Sequence, residues 1–125
     1  MSARPRPTEA PQAEVVVTKA VQRAGSALGL NQRELGRVLG ISEAKVSRLG
    51  AATQLDPKRK EFELAMLFVR LYRSLDTLVG GDETKAALWL HADNHYLGQV
   101  PAEAIETVEG LTSVVHYLDA MRGPL

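Results

Sequence analysis

Cysteine is absent from the 125-residue chain, which removes disulfides, thiolate metal sites and cysteine nucleophiles together and fits a reducing compartment. Aromatic residues are scarce, at 5% of a composition that is 45% hydrophobic. That balance suits packed helices better than an aromatic-rich β-sandwich, so an all-α fold is the starting expectation. No apolar run approaches the roughly 20 residues that a membrane span needs, and Met1–Gln12 lacks the apolar centre of a signal peptide. A soluble cytoplasmic protein without a membrane partner is expected. Also missing are a P-loop, a dinucleotide-binding glycine fingerprint, an activated serine motif and any defensible carboxylate pair. No catalytic residue and no cofactor are therefore assigned, and an enzyme is the least expected class.

Net charge is missing too, with 15 Lys and Arg against 15 Asp and Glu. Taken alone, this argues against nucleic acid, because DNA binding draws on cations to displace phosphate counterions. The sum conceals a division. Residues 1–60 hold 11 Lys and Arg against 5 Asp and Glu, whereas residues 61–125 hold 4 against 10. The basic half is the half expected to meet DNA.

Three prolines, Pro5, Pro7 and Pro11, interrupt residues 1–13, which read as a flexible tail whose Arg4 and Arg6 could brush phosphates. Helical periodicity then begins with Val17, Ala20, Val21, Ala24 and Leu28, ending near Gly29. Asn31 and Glu34 form a capping box for a short second helix that buries Leu35, Val38 and Leu39 and stops at Gly40. Ser42 caps a third, from Glu43 to Leu49, with Val46 and Leu49 turned inward. A wide apolar stretch from Phe62 to Val79 is either the central core helix or a subunit interface. Asp82 caps a helix to Leu90, residues 91–101 form a loop, and a short helix follows Pro101. The last helix starts around Thr107–Gly110 and buries Leu111, Val114, Val115, Leu118 and Met121 before Gly123 and Pro124 end it.

Residues 30–49, Leu-Asn-Gln-Arg-Glu-Leu-Gly-Arg-Val-Leu-Gly-Ile-Ser-Glu-Ala-Lys-Val-Ser-Arg-Leu, resemble the helix-turn-helix of the Xre and phage-repressor family. Gly36 lets two helices approach, Gly40 takes the turn, Ile41 plugs the angle between them and Val46 anchors the recognition helix. The competing reading is an ordinary helical hairpin with no ligand. With Val46 and Leu49 inward, the helical period puts Glu43, Ala44, Ser47 and Arg48 on the outer face. Arg48 can reach a guanine bidentately, Ser47 a base edge or phosphate, Ala44 a thymine methyl and Glu43 a cytosine amino group. Ser42 joins this set, and Gln32, Arg33 and Lys45 are assigned to the phosphate backbone.

Farther on, Trp89-Leu90-His91-Ala92-Asp93-Asn94-His95-Tyr96-Leu97-Gly98-Gln99-Val100-Pro101, then Thr107-Val108-Glu109-Gly110 and an amphipathic helix, resemble the C-terminal domain of Xre/MbcA/ParS-type antitoxins. One departure is Gln99, where a second glycine is usual. The resemblance implies residues 14–56 as a helix-turn-helix DNA-binding domain and residues 57–125 as a helical domain for toxin binding and dimerisation. It further implies a RES-domain toxin that depletes NAD as partner, operator DNA as ligand and a homodimer within a larger complex. Such a toxin must admit an anionic dinucleotide, and the end of the acidic half, Arg122, Gly123, Pro124 and Leu125, is the segment expected to approach its cleft. Structural roles stand beside these: Trp89 and Leu90 in the core, Asn94 bonding local backbone, Pro101 opening a helix. His91 and His95 are four apart, but no third ligand accompanies them and no metal site is assigned. A stand-alone repressor without a toxin, and an interaction adaptor that no longer binds DNA, remain as rival readings.

Overall fold

The computed structural model describes residues 12–123, which form seven helices and no strand. The first is α1, Ala13–Ala27, followed by α2, Gln32–Leu39, and α3, Glu43–Arg48. Then come α4, Lys60–Leu78; α5, Glu83–His91; α6, Pro101–Ala104; and α7, Val108–Arg122. The tail residues Arg4 and Arg6, and Pro124 and Leu125 at the other end, lie outside the described residues. Helix α1 opens one residue inside the expected tail, at Ala13, behind an extended Gln12 and with Glu14 in its first turn, where a carboxylate favours the helix N-terminus.

The sequence makes α4 the longest helix and the fold makes it the axle. It packs on α1 and α2 of the first half and on α5 and α7 of the second. Ala65, Phe68 and Leu71 are fully buried, and Phe62 and Leu75 nearly so. Removing one such large side chain from water stabilises by roughly 1.5–3 kcal/mol. The wide apolar face is thus core within one chain at these positions, while Met66 stays 54% exposed. Helix α7 closes the core with Leu111, Val114, Val115 and Leu118. A polar staple adds to it: Asp119 accepts from Ser74 Oγ at 2.8 Å and pairs with Arg70, both on α4. Burial pushes the Asp119 carboxyl up, but the bonds from Ser74 and Arg70 outweigh it and hold the group below the usual carboxylate range.

One expected core residue lies elsewhere, and another sits at the edge of the core. Met121 is 57% exposed, because Asp119 turns toward α4 and a residue two positions on points to the opposite side of the helix. Trp89 packs against the core while staying half-buried; Leu90 beside it is fully buried, and the indole also stacks on Tyr117. Gln99 also resolves simply. Gly98 supplies the left-handed conformation of the turn (φ +72°), so its neighbour needs no such freedom.

Thr18 is the buried polar residue of α1. Its hydroxyl donates to the Glu14 carbonyl at 2.6 Å and accepts from the Leu55 N–H at 3.0 Å, tying the segment between α3 and α4 back onto α1. Thr18→Val keeps the shape but orphans that buried N–H. Its unfolding free energy should fall by about 1–3 kcal/mol, read as a lower urea midpoint at unchanged slope; an unchanged midpoint would mean the tie contributes nothing.

Candidate nucleic-acid interface and C-terminal surface

Local chemistry builds the paired helices α2 and α3. Asn31 accepts from the Glu34 N–H at 2.8 Å and Glu34 returns a bond to the Asn31 N–H at 2.9 Å, completing the capping box. Gly40 ends α2 in the left-handed conformation (φ +74°). Gly36 is required by space: a Cβ there would sit 2.7 Å from the Ile41 carbonyl oxygen and 3.5 Å from Val46 Cγ2. The turn therefore lies directly on the α2 backbone. Ser42 then caps α3, accepting from the Lys45 N–H at 3.0 Å.

This packing decides which side of α3 is free. Val46 and Leu49 are buried, and Glu43, Ala44, Ser47 and Arg48 are exposed together, as the spacing requires. Gln32 and Arg33 are exposed at the start of α2. The Ser47 hydroxyl donates to the Ala44 carbonyl at 2.8 Å, leaving its oxygen lone pairs as acceptors. Ser42 is exposed, with its oxygen engaged in the cap.

Lys45 sits differently from the other assigned residues. Its Nζ lies 2.8 Å from Glu61 Oε2, with only 29% of the lysine side chain and 9% of the glutamate's exposed. Arg59 Nε approaches the same oxygen at 3.2 Å. The lysine hydrogen bond, supported by both positive charges, outweighs burial and holds the Glu61 carboxyl below its ordinary range. Gln22 adds a second anchor, its amide donating to the Leu49 carbonyl at 2.6 Å. The recognition helix is thus pinned to α4 by an ion pair and to α1 by a hydrogen bond. Neither Glu61 nor Gln22 was legible in the sequence, since their partners lie 16 and 27 residues away.

At the other end, Arg122 and Gly123 line a groove of about 830 Å³ between α1, α4 and α7, whose apolar wall includes Val16, Val17, Ala20 and Met66. The loop after α5 is fixed by Asn94: its side chain accepts from the Leu97 N–H at 3.0 Å, and its own N–H donates to the Gln99 carbonyl at 3.2 Å. His91 Nε2 lies 2.9 Å from the Leu28 carbonyl, whereas His95 sits edge-on to Tyr96, so the two imidazoles do not converge.

Residues 9–70 match the family model described as the antitoxin Xre-like helix-turn-helix domain. Residues 74–124 match that of the antitoxin Xre/MbcA/ParS C-terminal toxin-binding domain. The two matches meet inside α4, the helix that both sides of the core share. Among curated proteins no match is found.

Lys45→Met should lower stability at neutral pH by about 1.5–3 kcal/mol, because it takes the closer of two cations from a buried carboxylate and leaves only the more exposed Arg59 beside it. The sign with pH follows from the depressed Glu61 carboxyl. The wild-type advantage is present above the ordinary glutamate range and closes as pH falls through the lower folded-state value. Denaturant unfolding of both proteins across a pH series checks this; a gap that persists in acid would contradict it.

Proposed function

We propose that this chain, which belongs to the Xre/MbcA/ParS-type antitoxins, neutralises a RES-domain toxin that degrades NAD and represses its own operon. The supporting observation is the order of the two matched domains, a DNA-binding helix-turn-helix joined to a toxin-binding domain, with the outer face of α3 left free for contact. It acts by binding, in the cytoplasm; no helix among the described residues is long and apolar enough to cross a membrane.

In this reading α3 enters the major groove and Arg48 reads a guanine through two parallel hydrogen bonds. Ser47 accepts from a base amino group, Ala44 meets a thymine methyl and Glu43 accepts from a cytosine amino group. Gln32 and Arg33 contact phosphates and set the register, with Ser42 at the groove edge. Lys45, held by Glu61, fixes the angle at which the helix is presented. Two copies bind as a homodimer to paired half-sites, because one short recognition helix offers limited specificity. The acidic second half faces a toxin whose cleft must be positive to admit an anionic dinucleotide. Arg122, Gly123, Pro124 and Leu125 approach that cleft, with Arg122 requiring a carboxylate on the toxin side.

Co-purification with the product of the adjoining reading frame tests the toxin partner. No captured protein, with operator binding intact, would leave a stand-alone repressor. For DNA, Arg48→Ala should weaken operator binding by about 1–3 kcal/mol, on the order of ten- to hundredfold in an electrophoretic shift, while capture of the partner is unchanged. Equal shifts would remove Arg48 from base reading. Removing residues 122–125 should leave folding and operator binding intact but raise NAD loss in cells that express both proteins. Full protection by the shortened chain would place inhibition on the helical faces.

A further inference from the structure

The chain has six aromatic residues, and half of them meet on one open face of the second domain. Tyr117 on α7 stacks on Trp89 of α5 at a centroid distance of 6.3 Å with planes 15° apart. It also stacks on Tyr96 at 6.1 Å and 30°. Tyr96 is 81% exposed, although it is the largest side chain on a loop whose backbone is locked by Asn94. Folding alone gives no reason to fix a tyrosine in water. Its ring extends a platform that Trp89 and Tyr117 begin, already ordered, so that covering it loses little conformational freedom.

We infer that Trp89, Tyr96 and Tyr117 form the docking platform for the toxin, and that they receive an arginine or lysine from a basic surface of it. The inference rests on the toxin-neutralising reading and deepens it by naming a surface. Two observations choose this occupant. The platform lies wholly within residues 74–124, the stretch matched to a toxin-binding domain. That stretch carries eight Asp and Glu against two Lys and Arg, so its field attracts a cationic partner. A guanidinium or ammonium approaching such a surface finds aromatic faces to stack on, an arrangement that strengthens as water is excluded. Trp and Tyr are also the residues on which binding energy concentrates at protein interfaces. The platform is separate from the segment at residues 122–125: one holds the toxin and the other approaches its cleft.

The test uses the full-length chain, tagged and co-expressed with the product of the adjoining reading frame. Tyr96→Ala should weaken capture at least about tenfold, as expected for an interface anchor. Tyr96→Phe, which keeps the stacking ring, should bind within about twofold of wild type. The thermal midpoint, operator shift and solution mass of the free chain should be the same for all three, because the side chain is exposed. Capture unchanged in Tyr96→Ala overturns the platform and leaves the antitoxin reading standing. A changed mass of the free chain also overturns it, because the face would then join two copies of this protein. If wild type captures nothing, both the platform and the toxin-neutralising reading fall.

Discussion

One helix has to hold both halves of the chain on a single core. Along its 19 residues α4 carries Phe62, Ala65, Phe68, Leu71 and Leu75 inward, and no short helix packed on only one side of it could bury that face. The helix-turn-helix half supplies α1 and α2, and the second half supplies α7 and α5. The consequence is mechanical. A single rigid element runs from beneath the recognition helix to the Asp119 staple on α7, so the two halves cannot reorient without exposing large apolar side chains.

Polar contacts refine what packing begins. The outer face of α3 follows from Val46 and Leu49 being buried, but its angle is set by Gln22 holding the Leu49 carbonyl and by Glu61 holding Lys45. A carboxylate this buried is tolerated only because Lys45 and Arg59 surround it. The ion pair engages Lys45 within the fold, whereas Arg33 and Arg48 stay exposed.

Much of the fold was legible in the sequence because the signals are local. Capping residues, turn glycines and apolar spacing act over three or four positions, so Asn31 with Glu34, Gly40, Ser42, Asp82 and Thr107 marked helix ends that the structure keeps. The same periodicity separated Val46 and Leu49 from Glu43, Ala44, Ser47 and Arg48. What a helix turns inward at its end was less legible, as Met121 shows, because that depends on which residue the neighbouring helix engages, here Asp119.

Pairings across long stretches of chain belonged to the tertiary structure alone. Thr18 with Leu55, Lys45 with Glu61 and Ser74 with Asp119 are separated by 37, 16 and 45 residues, and no periodicity encodes a partner at such a distance. The stacked Trp89, Tyr96 and Tyr117 are of the same kind: three aromatics that look unrelated along the chain become one surface only when α5, its loop and α7 are brought together. Spacing along a chain determines which face of a helix is apolar; which groups that face meets is decided by how the helices close upon one another.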